Sequence, residues 1–343
     1  MKREIMRGLA LLLCMACFWA WAGAEDAAEI PLPEPENGEF AILTPEEDPM
    51  IGPHHSGYLF ADGETSPYGY ADPSITVSIG RGRIYDTNYT YARVRIADPM
   101  QLRVMTKEKS LAAKNTGLGS MLAARVKAVV AINGVLEADV SGESQYAFVD
   151  GPVMHQGEWK RPGEKTSEQK LANWKAEMGL DTLVIDSQGD LVILEAETWG
   201  EIYEKILAMG DRAVNVLTFG PALIVEGEPR YGYDRRQMST NRPAQRAAIC
   251  QVGPLEYILV SSEGPEDPPD KNGLKLDQFV ELIYTRFPEV ETAYNLDGGS
   301  SSTLVFRKGT ENWAKVNSPK NGKKRGLRDL IYFADAWVPE GQE

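Results

Sequence analysis

The sequence predicts an α+β protein, a single domain around a large mixed or antiparallel β-sheet with a few packed helices. Short apolar runs and period-two alternations outnumber helical repeats along the chain, and Asn-Gly, Asp-Gly and Gly-Pro turns punctuate them. Only residues 198–209 and 276–287 carry apolar residues at helical spacing throughout. The 343 residues, 43% hydrophobic and 25% charged, show no internal repeat and supply core for one large domain.

Taken in order, Lys2, Arg3 and Arg7 precede an apolar segment from Leu9 to Trp21 and then Ala22-Gly23-Ala24. This is the pattern of a secretory signal peptide at 1–24 with cleavage near Ala24. It predicts a secreted or cell-surface protein, and the segment is too short for stable membrane insertion. A lipoprotein signal ending at Cys17 and an uncleaved anchor are the competing readings. Residues 25–57 are acidic and proline-rich, with too little apolar surface to offset their ordering entropy, and read as a disordered arm. The folded domain is expected over 58–339.

Within it, Ile75, Val77 and Ile79 alternate with polar residues as a half-buried strand does, and Tyr89 to Ile96 gives a second strand ended by Asp98-Pro99. Ser110 to Lys127 reads as partly helical, and Ala128 to Ile132 as a buried strand stopping at Asn133-Gly134. Tyr146 to Val149 reads as a strand with the turn Asp150-Gly151, followed by a hydrophilic insertion from Gln156 to Lys170. Residues 183–193 read as a hairpin, and 198–209 as a helix with Gly210 as its C-terminal cap. Strands follow over 214–219, 222–225, 246–250 and 257–260. An acidic loop then leads to a helix with Leu276, Phe279, Val280, Ile283 and Phe287 on one face, stopped by Pro288. A polar loop from Asn312 to Arg328 precedes a last strand at Leu330–Phe333.

The net charge of −14, with no basic cluster longer than Lys323-Lys324-Arg325, argues against nucleic acid as a partner. Removing residues 1–24 leaves 33 basic and 49 acidic residues, a net charge of −16. Cys14 and Cys17 leave with that segment, so Cys250 remains alone and reads as a buried thiol. The histidines, His54, His55 and His155, have no zinc spacing, so no metal and no cofactor is expected. The acidic loop with Glu263, Glu266, Asp267 and Asp270 leaves a divalent cation such as calcium open, against the reading of a solvated loop. Oligomeric state is not legible.

The stretch Asn295-Leu296-Asp297-Gly298-Gly299-Ser300-Ser301-Ser302-Thr303 concentrates a carboxylate, two glycines and four hydroxyls ahead of the apolar run 304–306. Each buried hydroxyl needs a partner, and the glycines permit positive φ and close approach of a ligand. An ordinary Asp-Gly hairpin turn is the alternative. Asn133-Gly134, Gly220-Pro221 and Arg246 also stand at the ends of apolar runs. Strand ends of one sheet converge on one rim, so a pocket with a cation, a carboxylate, an amide and N–H donors is expected, a set suited to a phosphate ester. Arg246 as a structural ion pair is the competing reading.

The order Ala131-Ile132-Asn133-Gly134, Phe219 to Ile224, Arg246 to Ile249, Asn295 to Ser302 and Asp329 to Phe333 resembles the phosphodiester glycosidase family, whose type is N-acetylglucosamine-1-phosphodiester α-N-acetylglucosaminidase-like, with exported bacterial members. The resemblance spans roughly residues 74–337. It implies an exported glycosidase that hydrolyses a sugar 1-phosphodiester in surface polysaccharide or a related phosphorylated glycan. On that reading Asp297 is the general acid/base and Glu263 the second carboxylate. Arg246 clamps the phosphate, Asn133 and Gly134 bind sugar or phosphate, and Gly298, Gly299, Ser300 and Ser301 line the phosphate. The chain departs from the family pattern at Val135-Leu136-Glu137, at Phe148 to Gly151, at Ala247 and Cys250, and at Ser262-Glu263-Gly264-Pro265, which lacks an arginine. These departures imply a second expectation, a catalytically weakened member that binds phosphorylated cell-surface glycans.

Overall fold

The computed structural model describes residues 32–35, 38–41, 58–60, 68–106, 117–135, 151–162, 167–233, 241–265, 272–309, 312–317 and 325–341. The signal segment at 1–24, most of the arm at 25–57, the strand read at Tyr146–Val149 and the acidic residues Glu266, Asp267 and Asp270 lie outside the described residues.

The fold is α+β. Nine strands form the largest sheet, in the order 228–229, 222–225, 292–296, 247–253, 256–262, 87–96, 75–84, 68–72 and 58–60. A five-stranded sheet runs 312–315, 304–309, 130–133, 329–333 and 102–106. A second runs 191–194, 182–186, 213–218, 153–155 and 158–161. Pairings within these sheets are antiparallel throughout the described residues. Within the stretch read as an arm, Gly38–Phe40 pairs with Trp337–Pro339, and the Phe40 ring meets Trp337 edge-on at 5.2 Å.

Period-two alternation explains how the sheets assemble. Leu259, Leu183, Ile185, Leu217, Val130, Ile132, Leu304, Phe306, Ile331 and Phe333 point from all three sheets into one common core. Their immediate neighbours point outward, and each outer face is covered by a helix. Ile258, Val260, Ala248 and Cys250 lie under the helix Leu276–Arg286, through Phe279, Val280 and Ile283. Ala131, Val305 and Leu330 lie under Gly119–Arg125, and Val184 and Val216 under Trp199–Met209. The helix Trp199–Met209 is capped by Thr198, whose hydroxyl accepts from Glu201 N–H while the Glu201 carboxylate accepts from Thr198 N–H.

Three expectations are revised. The insertion read from Gln156 to Lys170 contains a strand, Glu158–Arg161, and the start of a helix, Glu168–Asn173. Its polar sequence hides two anchors: Trp159 packs edge-on against Tyr203 at 5.2 Å, and buried Arg161 donates to Gly151 O at 3.0 Å. The loop read from Asn312 opens with a strand, Asn312–Lys315, held by Trp313 Nε1 donating to Ala128 O at 2.8 Å. Leu102–Thr106, absent from the sequence reading, is a buried strand. Arg103 interrupts its apolar pattern but is itself buried, with Nε donating to the Tyr332 hydroxyl at 3.2 Å.

Candidate active site

Residues 292–296 leave the nine-stranded sheet as a buried strand, and 304–309 enter the five-stranded sheet as another. The stretch Asp297–Thr303 is therefore a crossing between two sheets. A 3-10 turn at Gly299–Ser301 makes the bend. Gly298 is required because a Cβ there would lie 2.5 Å from Gln245 O, and Gly299 sits at φ +59°.

Asn133, at the end of Val130–Asn133, ties the crossing together. Its Nδ2 donates to Asp297 O at 2.6 Å and its Oδ1 accepts from Thr303 N–H at 2.9 Å. Asp297 N–H donates in turn to Gly134 O at 3.1 Å. Of the following N–H groups, Gly299 donates to Gln245 O outside the turn, while Ser301 donates to Gly298 O and Ser302 to Gly299 O within it. The N–H groups of Gly299, Ser301 and Ser302 thus have carbonyl partners within the protein. Ser302 belongs to a buried network, 2.7 Å from the Ser261 hydroxyl, with Asn317 Nδ2 donating to Ser261 Oγ and to Ser302 O.

At this junction lies a cavity of about 190 Å³ walled by Asn133, Gly134, Val135, Asp297, Ser301 and the run 325–329. Asp297 is partly exposed there. Dense surroundings push its carboxyl pKa up, while hydrogen bonds from the Ser301 hydroxyl and Gly298 N–H and the charge of Arg325 pull it back. Asp329 brings a second, buried carboxylate. Its Oδ2 accepts from Val135 N–H at 3.0 Å, and it covers Gly134 so closely that a Cβ there would lie 2.3 Å from Oδ2. Arg325 and Arg328 also line the cavity and bring positive charge to it. A carboxyl whose pKa is raised, beside two arginines and a hydroxyl, can bind an anion and pass a proton to it.

Of the site residues expected from sequence, the structure brings Asn133, Gly134, Asp297 and Ser301 to this cavity. Gly298, Gly299 and Ser300 shape the turn beside it but are not in its wall. Arg246 faces elsewhere: its Nε donates to Leu274 O at 3.0 Å and an Nη to Arg242 O at 2.8 Å, and burial lowers its pKa to about 10. The reason is tertiary, since the loops before Ala247 and Leu276 meet at this point and offer carbonyls that a long buried cation satisfies. Glu263 follows the strand Glu256–Ser262, is buried, and donates its N–H to Asn88 O at 2.8 Å; it is not in the cavity wall. Gly220-Pro221 is likewise structural, with Asn295 Nδ2 donating to Gly220 O at 2.9 Å. Arg325, Arg328 and Asp329 were missed as site residues, although the cluster Lys323-Lys324-Arg325 and the acid opening the last strand were legible signals. Among the described residues no group of three or more His, Cys, Asp or Glu side chains is arranged to hold a metal ion.

The chain is similar to known proteins in sequence pattern and in fold. A family model described as phosphodiester glycosidase matches residues 126–334. Among solved structures, the catalytic domain of zebrafish N-acetylglucosamine-1-phosphodiester alpha-N-acetylglucosaminidase, auto-inhibited by its pro-peptide, is similar with a TM-score of 0.56 at 17% identity, over 91% of this chain and 99% of that one. A hypothetical protein from Synechocystis is similar with a TM-score of 0.48 at 16% identity, over 78% of this chain and 62% of that one. No curated protein sequence matches significantly. The family model covers more than half of the chain, and the chain belongs to the phosphodiester glycosidase family.

Proposed function

We propose that the protein is an exported glycosidase that hydrolyses a sugar 1-phosphodiester resembling N-acetylglucosamine 1-phosphodiester, in surface polysaccharide or a related glycan. The observation that carries this reading is the pairing of Asp297, a carboxyl biased toward its protonated form, with Arg325 and Arg328 in one cavity. The two guanidinium groups neutralise the phosphodiester and the phosphate charge that grows as the glycosidic bond breaks. Asp297 gives its proton to the departing phosphate oxygen, with Ser301 holding the carboxyl in place. Asp329 takes the place expected of Glu263 as the second carboxylate, orienting the attacking water. The signal-like segment at 1–24 supports export.

Wild type and Asp297→Asn are compared on N-acetylglucosamine 1-phosphodiesters, with a drop in kcat of about 100-fold or more expected. Equal rates remove Asp297 from the mechanism. The second reading, a weakened member that binds phosphorylated glycans, is favoured by the structural use of Arg246. It predicts saturable binding of a phosphorylated glycan with no turnover by wild type.

A further inference from the structure

Among the described residues seven large apolar or aromatic side chains remain exposed, and three of them lie near one another, with Tyr231 within electrostatic reach of both Tyr85 and Tyr284. The helix Leu276–Arg286 sets the spacing. Asp277, Glu281 and Tyr284 stand at i, i+4 and i+7 on its solvent side, a stripe about 10 Å long. Tyr85 reaches this stripe from the tip of the hairpin 75–96, with its hydroxyl donating to Glu281 Oε2 at 2.5 Å. Tyr231 reaches it from the other side, where the next residue, Gly232, donates its N–H to Asp277 Oδ1 at 3.3 Å. Tyr85 holds φ +48°, uncommon for an aromatic residue, and so presents an exposed ring at the hairpin tip.

The register also fixes where this patch lies. Thr90 pairs with Ser261, Ser261 with Ala247 and Ala247 with Leu296, so the hairpin projects beyond the sheet at the end where Asp297 emerges. The tip stands five residues past that level, roughly 16 Å.

We propose that Tyr85, Tyr231 and Tyr284, with Glu281 and Asp277 between them, form a saccharide-binding platform that takes two to three units of a neutral oligosaccharide. Aromatic faces stack against the C–H faces of pyranose rings, and carboxylates accept hydrogen bonds from neighbouring sugar hydroxyls. Two carboxylates on the stripe repel an anionic polymer, so the platform takes the uncharged portion of a glycan. The hydrogen bond to Glu281 pushes the Tyr85 phenol up to about 12, which keeps it a donor across the working range. The platform is separate from the Asp297 cavity and stands whether or not that cavity is catalytic.

The test is calorimetric titration of the full chain with neutral tetramers of β-1,4-linked N-acetylglucosamine and of β-1,4-linked glucose, beside a phosphorylated hexose polymer. Saturable binding of a neutral tetramer is expected, weakened about tenfold in Tyr284→Ala and in Tyr231→Ala and unchanged in Asp297→Asn. Both tyrosines are exposed, so thermal melting of the variants should match wild type, which separates lost binding from lost folding. Failure of both tetramers to bind, affinity for a neutral tetramer unmoved by the tyrosine variants, or affinity for the phosphorylated polymer that falls in the tyrosine variants while the tetramers stay unbound overturns the proposal. Sedimentation without sugar supplies a further check, since a dimer abolished by Tyr284→Ala would assign the patch to a second copy of the chain instead.

Discussion

The amide of Asn133 bridges the two ends of the Asp297–Thr303 crossing, accepting from Thr303 N–H and donating to Asp297 O. Asn133→Ala leaves a buried N–H and a buried carbonyl without those partners, at about 1–3 kcal/mol each. Urea denaturation should show a loss of roughly 2–4 kcal/mol, with activity falling because Asp297 loses its support. Gly298→Ala drives a Cβ to 2.5 Å from Gln245 O and should also destabilise, since neither backbone can give way freely. The raised pKa of Asp297 has its own signature. If the protonated carboxyl donates to the leaving phosphate, kcat is full at acidic pH and falls as pH rises through the folded pKa, and Asp297→Asn flattens that limb. A rising limb would make Asp297 a base instead.

At the scale of elements, Arg246 and Arg325 separate by what they touch. Arg246 latches the segment before Ala247–Gly253 to Leu274 O, just ahead of the helix Leu276–Arg286. Arg246→Ala should cost about 2–4 kcal/mol in urea unfolding and leave the substrate KM within a few-fold. Arg325 is exposed at the cavity mouth, so Arg325→Ala should leave stability nearly unchanged and raise KM about tenfold or more. The opposite pattern in the two variants would restore Arg246 as the phosphate clamp. From sequence, Arg246 at the head of an apolar run had the look of a site residue. Its direction depends on carbonyls of two loops, one of them 28 residues away, which no local pattern reports.

Across the whole molecule, a buried acid cluster joins the nine-stranded sheet to the chain beyond the last strand of its neighbour. The Tyr70 hydroxyl lies 2.5 Å from Asp72 Oδ2 and 3.4 Å from Asp335 Oδ2, and Asp335 pairs with Arg307 at 3.2 Å, so two carboxylates meet one phenol and only one of them holds the guanidinium. Burial is the main cause that raises both acids, Asp335 to about 8, against the stabilising charge of Arg307. The folded state therefore binds a proton that the unfolded chain releases near its ordinary carboxylate pKa. The associated stability is fully present below about pH 4 and is lost as pH rises toward about 8. Stability measured by urea should be lower at pH 8 than at pH 5, and Asp335→Asn should shrink that difference. An unchanged difference would place the titration elsewhere.

The sequence by itself determined the class of the fold, the two long helices and the central strands, because period two and period 3.6 are written in residues a few positions apart, while short strands such as Tyr68–Asp72, Leu102–Thr106 and Val153–His155 escaped it. It also located the Asp297 crossing, since two glycines and a run of hydroxyls announce a turn whatever surrounds it. Only the tertiary structure decided which side chains share the cavity. Pairing of Leu330 with Asn133, nearly 200 residues apart, carries Arg325, Arg328 and Asp329 to the Asp297 wall. The same long-range packing turns Arg246 toward loop carbonyls and leaves Glu263 off the wall. A long charged side chain settles on whichever partners the fold places within its reach, and the linear pattern around it records burial and periodicity but not those partners.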